Sequence, residues 1–569
     1  MNPLTVARAW GDRRDGTYRN PILPADYSDP DVIRVGRDYY LIASTFHFAP
    51  GMVVLHSRDL VNWTTIGHAV PDLAAIGPEL GWERMNRYNH GIYAGALRYH
   101  DGRFWVFFTS YLGEGFFVST ARDPAGPWEL TQMVDAQGRP LRVMKWDDPC
   151  PFWDDDGQAY LIASKVAGAW YPHLFRMSPD GTRLLDADAD AMNRPGPQPS
   201  GEGTVIYSRD TSEASKIYKI DGTYYLFHNE VVNGTRVAMM KRARHLFGTH
   251  PDGRAGVPGD PGVYELRQIM RGWGSEDREP NQGGLVQTER GDWYFVTHEG
   301  TCGYPEGRPL SLLPVTWVDG WPIPGMAPDG DGDGDGGVRV GGFLGSGAMP
   351  IPVPGHRAQL PQGSDEFDGP ELAPQWQWNH QPRAGFWSLT ERPGHLRLRA
   401  FRPLAPGEFF RAGNTLSQRV FRAERVVVTV QMDVDGMQDG QSAGLVHFNG
   451  GVDHARISVT RSGGVSSMVY QVGDGDGDGD AMIRGLELPG ATRTIWLRSE
   501  VDALCTNRYA YSLDGHVFTP FGEPYLLKWG NYRGDNVGVY TYNDRAEAGH
   551  VDIDWFRYSF EGPSPPLQA

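Results

Sequence analysis

Along the first 320 residues, apolar and polar positions follow one short phrase five times: a polar–Gly turn, an aromatic-rich apolar run, then a second turn. The phrases are RVGRDYYLIAS from Arg34, YHDGRFWVFFTS from Tyr99, WDDDGQAYLIAS from Trp153, KIDGTYYLFHN from Lys219 and TERGDWYFVTH from Thr288. Their glycines, Gly36, Gly102, Gly157, Gly222 and Gly291, lie 66, 55, 65 and 69 residues apart. Short apolar runs bounded by Gly, Asp, Asn and Pro read as strands, and little of this stretch carries a helical period. A recurring unit of this length, with further strands after each phrase, is how a propeller blade reads. The predicted architecture is all-β, with a five-bladed β-propeller over residues 1–325.

From Pro322 the composition turns to Gly, Pro and Asp, with DGDGDGDGG from Asp329, and residues 326–362 read as a linker or a loop lying over the propeller. Alternating runs then return (HLRLRAF, RVVVTVQMDV, GLVHFNG, and HVDIDWFRYSF from His550), predicting a two-sheet, concanavalin-like β-sandwich over residues 363–562. A second Asp-Gly run, from Asp474, falls where a hairpin tip is expected. Neither run has the spaced bidentate Glu of a calcium loop, so both read as solvated loops, not metal sites.

The same phrase brings chemistry into register. Nine positions before each of the last four glycines stand Tyr93, Asp148, Glu213 and Gln282, and seven before the first stands Asp29. Inner strands of a propeller line one channel, so equivalent positions converge on its axis. A single Asp before Pro usually caps a turn. Three acids converging from separate blades repel one another and point instead to a site. His47, His90, His228 and His298 fall near the ends of inner runs and read as core histidines, and Cys150 as wall packing. No spacing suggests a metal site or a Ser or Cys nucleophile.

Composition narrows the partners. The 569 residues carry 53 Lys+Arg against 70 Asp+Glu, a formal net charge of −17, which disfavours nucleic acid and anionic membranes. Aromatics at 12% suit both core packing and stacking on sugar rings. Charged residues from Arg8 to Arg14 stand where a signal peptide needs an apolar core, no segment approaches transmembrane length, and three cysteines are too few for a disulfide framework. A cytoplasmic protein is expected, with oligomeric state open.

Three segments resemble glycoside hydrolase family 43, whose members have a five-bladed propeller and often a C-terminal β-sandwich. NPILPADYSDPDVIRVGRDYYLIAS is similar to the family's opening segment, which implies Asp29 as general base. DDPCPFWDDDGQAYL implies Asp148 as the acid that tunes the proton donor and orients substrate, and SEASKIYKIDGTYYL implies Glu213 as general acid. Weaker matches imply Phe46 beside the bound sugar, Tyr93 where a Trp is usual, and Arg308 on the sugar hydroxyls. Tyr532, in GNYRGDNVG, is implied as a sandwich residue at the pocket rim. Gln282 replaces a His that the family often ties to an axial calcium or chloride, and Lys216 is unexpected after the acid. No cofactor is implied, and a structural calcium remains compatible.

The resemblance implies an inverting, exo-acting hydrolase that removes a pentose, xylose or arabinofuranose, from oligosaccharides or polysaccharide side chains. Asp29 would activate water, Glu213 would protonate the leaving oxygen, and Asp148 would help Glu213 keep its proton. Arg308 is the expected cation for Asp148. The competing classes are a sugar-binding propeller without catalysis and a protein-interaction scaffold. The scaffold would not need buried acids in register.

Overall fold

Each repeated phrase folds into the hairpin that joins the two inner strands of a blade. The five phrase glycines all sit at positive φ, from 63° at Gly36 to 91° at Gly291, a backbone conformation that favours glycine. The computed structural model describes residues 10–272, 279–299, 305–326, 339–351, 360–405, 408–451, 453–473, 481–530 and 533–561. Five four-stranded antiparallel sheets follow in chain order. Their innermost strands are Asp31–Val35, Ile92–His100, Trp146–Trp153, Glu213–Ile220 and Pro280–Gln287. Each innermost strand packs against the next, and the fifth returns to the first. The ring is therefore closed.

A polar latch at one sheet position closes each step of that ring. The residue ending each apolar run (Ser44, Thr109, Ser164, Asn229 or His298) hydrogen-bonds the backbone of the next blade. The Ser44 hydroxyl accepts the Ala94 N–H at 2.8 Å. Thr109 and Ser164 donate to the carbonyls of Trp146 at 3.1 Å and Ser212 at 3.0 Å. Asn229 accepts the Gln282 N–H at 2.8 Å, and His298 Nδ1 accepts the Asp29 N–H at 2.9 Å. The phrases end on Ser, Thr, Asn or His because a buried backbone group on the neighbouring blade needs a partner there.

The sandwich is built from two eight-stranded sheets. Alternation along Arg425–Asp433 turns Val426, Val428, Val430 and Met432 inward, onto Leu497, Ile553 and the facing Leu445 and Val539. The strands on either side of the second Asp-Gly run pair with each other, while the run itself, like that from Asp329, lies outside the described residues. Part of the intervening stretch is bound to the propeller: Ser346–Ala348 pairs with Thr17–Arg19, and Gly341 donates to the Ile269 carbonyl at 2.9 Å.

The two units share structure. Phe48–Ala49, from blade one, pairs with Gln377–Asn379 and becomes the edge strand of a sandwich sheet. One apolar cluster runs through both. A buried ion pair joins Arg422 to Glu306 at 2.9 Å, and Arg419 donates to the Asp26 carbonyl at 2.7 Å.

Candidate active site

The inner strands of blades two to five each carry a bulge near the start, after Tyr93, Asp147, Glu213 and Asn281. The first bulge residue lies in the left-handed region every time: Ala94 at φ 49°, Asp148 at 51°, Ala214 at 65° and Gln282 at 55°. Asp29 of blade one, at 52°, shares that conformation. Non-glycine residues held this way cost about 1–3 kcal/mol each and cluster where a side chain must be aimed.

This corrects the register read from the glycines. Tyr93 and Glu213 do not occupy the position of Asp29 and Asp148; they lie one residue earlier. The bulge ring is Asp29, Ala94, Asp148, Ala214 and Gln282. The ring before it is Ser28, Tyr93, Asp147, Glu213 and Asn281, each opposite its blade's latch residue. Bulge-to-turn length differs by one residue between blades, so counting back from the glycines mixes the two rings. It also hides Asp147, a fourth acid. Aligning the bulge residues Ala94-Gly95, Asp148-Pro149, Ala214-Ser215 and Gln282-Gly283 would have exposed it.

The Asp29 carboxylate accepts three hydrogen bonds from two side chains. Arg308 forks onto its two carboxylate oxygens at 2.8 and 3.2 Å, and the Ser44 hydroxyl donates to Oδ2 at 2.7 Å. Arg308 therefore serves Asp29, not Asp148 as expected, because the bend that carries it, just before the Leu310–Val318 strand of blade five, lies beside blade one, where Leu310 bridges Leu23. Asp148 receives the Ala214 N–H and the Gln282 amide, each at 2.7 Å. Gln282 thus bonds Asp148 directly. Glu213 is met by Arg236, whose guanidinium also lies 3.9 Å from Glu279. Neither Arg236 nor Glu279 was legible as a site residue in the sequence.

The acids feel one another. Burial first, then the charge of Glu213, pushes the Asp148 carboxyl up to about 6, against the pull of Lys216 and its two hydrogen bonds. Burial, Asp148 and Glu213 push Asp147 well above the usual carboxylate range. Tyr93 is raised by burial and then by Asp147, Asp148 and Asp29. His298, accepting from the Asp29 N–H, carries its proton on Nε2 and is kept neutral by burial and by Arg308.

One wall is aromatic. Phe46 stacks on Tyr93 with ring centroids 5.2 Å apart, and the Arg533 guanidinium lies 4.3 Å from the Phe46 centroid. Arg533 belongs to the sandwich and pairs with Asp26 at 3.0 Å. The loop expected to carry the pocket-rim residue thus reaches the site, while Tyr532 itself lies outside the described residues. Among the described residues no cluster of His, Cys, Asp and Glu could hold a metal ion.

Residues 18–322 match the sequence model of glycosyl hydrolases family 43, over more than half of the chain. The chain belongs to glycosyl hydrolase family 43. Residues 364–559 match the beta xylosidase C-terminal concanavalin A-like domain. A beta-xylosidase of Formosa agariphila is 34% identical over 597 residues, covering 98% of this chain and 93% of that protein. A non-reducing end alpha-L-arabinofuranosidase of Bacteroides ovatus is 32% identical over 395 residues, covering 67% of this chain and 65% of that protein. Among solved structures, a family 43 enzyme engineered for both endo-xylanase and exo-arabinofuranosidase activity superposes with a TM-score of 0.76. It is 26% identical and covers 96% of this chain and 100% of its own. The protein is a glycoside hydrolase on a five-bladed propeller, with a concanavalin-like sandwich behind it.

Proposed function

We propose that the protein is an inverting, exo-acting hydrolase that releases a terminal pentose, xylose or arabinofuranose, from xylo-oligosaccharides or arabinoxylan. The observation that carries the reading is the placement of Asp29 and Glu213 on blades one and four, which are not neighbours in the ring, with Asp148 between them. Inversion needs two carboxyl groups about 6.5–9.5 Å apart, so that a water fits beneath the sugar. Asp29, fixed as an acceptor by Arg308 and Ser44, takes the proton of that water. Glu213 gives its proton to the leaving oxygen. Phe46 and Tyr93 present the apolar wall for the sugar's C–H face.

The relatives' names include both xylosidase and arabinofuranosidase, and the reading takes either sugar. The test is hydrolysis of p-nitrophenyl β-xyloside and α-arabinofuranoside, with the product anomer followed by NMR. Release of pentose with inverted configuration is expected. A retained anomer, or binding of both sugars without cleavage, overturns the reading; the second result makes the propeller a sugar-binding protein.

A further inference from the structure

Directly beneath the acids, the propeller channel is filled by two basic side chains in successive layers. In the lower layer Arg98 of blade two bonds Asp31 of blade one at 2.7 Å and Cys150 of blade three at 2.8 Å, and lies 5.9 Å from the Tyr218 ring of blade four. That cation is paired. In the upper layer stands Lys216, three residues after Glu213 on the same strand and 1% exposed. Its Nζ reaches the Gly95 carbonyl of blade two at 3.5 Å. Blades two and four are not neighbours, so this contact crosses the axis. Among the described residues Lys216 forms no ion pair.

The charges around it leave one clear demand. Asp29 comes from blade one, Asp147 and Asp148 from blade three, Glu213 from blade four, and Tyr93 faces them from blade two. Arg308 is committed to Asp29 and Arg236 to Glu213. Among the described residues the adjacent acids of blade three have no such fork. Burying an ammonium costs several kcal/mol unless a nearby anion compensates it. We propose that Lys216 is the built-in counter-cation of this acid ring, a positioning residue that keeps Asp148 charged and acts on the sugar chemistry through it. The inference rests on the reading of Asp148 as the acid that orients the sugar and governs the proton donor. Its electrostatic direction agrees, since Lys216 is the largest influence drawing Asp148 back down.

The test uses the full chain with Lys216→Met, Lys216→Gln and Lys216→Arg, comparing pH profiles of kcat/KM on the p-nitrophenyl pentoside that the wild type cleaves. Without the charge, Asp148 takes a proton at higher pH. The acid limb is expected to move up by about one pH unit in Met and Gln, with about a fivefold loss of kcat/KM near pH 6 that approaches about tenfold at lower pH. Arg should hold the limb in place. Lys216→Gln, which can still reach a carbonyl, carries the comparison if Lys216→Met does not fold. Infrared titration of the carboxylate band that disappears in Asp148→Asn reads the same shift without turnover. A shifted band in a protein that cleaves no pentoside upholds this inference and overturns the proposed reaction. A limb and band that stay in place in folded Met or Gln, or that move as far in Arg as in Gln, overturn the inference.

Discussion

Two regions of this molecule hold buried acids in close hydrogen bonds, and only one has the form of a reaction site. In the sandwich, His447 Nδ1 meets Asp535 at 2.6 Å and Nε2 meets Ser499 Oγ at 2.7 Å, the residue types of a hydrolytic triad. Yet Ser499 donates its own proton to Asn507 at 2.7 Å, so its oxygen is an acceptor toward the histidine. All four side chains are at most 2% exposed and sit on or beside regular strands. Ser499, His447 and Asp535 are bonded to one another in series, and among these side chains the Asn507 amide nitrogen is buried without a hydrogen-bond partner. In the propeller Asp29 and Asp148 sit on left-handed backbone, Asp147 and Glu213 directly precede such a residue, and the acids repel one another beside an aromatic wall. Residue types define neither region. Strained backbone and the repulsion among converging acids distinguish them.

The comparison breaks first on turnover. Asp29→Asn and Glu213→Gln should each lower kcat by about 10²–10⁴-fold in protein that still folds. For Glu213→Gln the loss should be smaller with an activated phenol leaving group than with a xylo-oligosaccharide. Ser499→Ala should leave kcat as it is. Near-normal turnover in either acid variant, or a large loss in Ser499→Ala, would reverse the assignment of the two regions. On stability the order is opposite. His447→Leu strands Asp535, whose carboxyl burial pushes up to about 6 and His447 pulls down. That loss should cost about 3–5 kcal/mol, read by chemical denaturation, with kcat per folded molecule little changed.

How far the sequence carried the reading follows from the same contrast. The phrase repeat exposed the five blades because strand, turn glycine and latch recur at short range. Asp29 and Asp148 were legible because each precedes a proline at the head of its strand. Asp147 was not, because a bulge adds a residue without leaving a mark in composition. Arg308 was assigned to the wrong acid, and Arg236 and Arg533 were not foreseen, because the partner of a buried charge is set by which strands the ring closure brings together. The chain of Ser499, His447 and Asp535 was invisible for the same reason: it spans three separated strands.

A smaller effect separates charge from fold at Asp148 itself. Its value in the folded protein, about 6, lies above the ordinary 3.8, so the folded state binds the proton more tightly than the unfolded chain. Stability therefore falls as pH rises from about 4 to about 6, and the penalty is present in full at pH 7. Asp148→Asn removes it. Its melting temperature should exceed the wild type's at pH 7, and the two should converge below about pH 4. Turnover should fall, and the alkaline limb of kcat/KM should move to lower pH as the cluster loses an anion. Equal melting temperatures across that range would mean that Asp148 carries no charge penalty in the fold.

The smallest expected effect joins the two regions. Asp535, held by His447, lies two residues from Arg533, and Arg533 runs from the sandwich to the Phe46 ring at 4.3 Å while pairing with Asp26 at 3.0 Å. The polar chain of the sandwich thus anchors the loop that backs the aromatic wall beside the propeller acids. Arg533→Met alone strands Asp26 and should lower the melting temperature. Pairing it with Asp26→Asn removes both charges and should restore most of that loss. If Arg533 matters for the sugar as well as for the fold, KM should stay about three- to tenfold raised in the double variant, because Phe46 has lost the cation behind its ring, while kcat changes less. Recovery of KM together with the melting temperature would instead make the loop a structural clamp, with the wall set by the propeller alone.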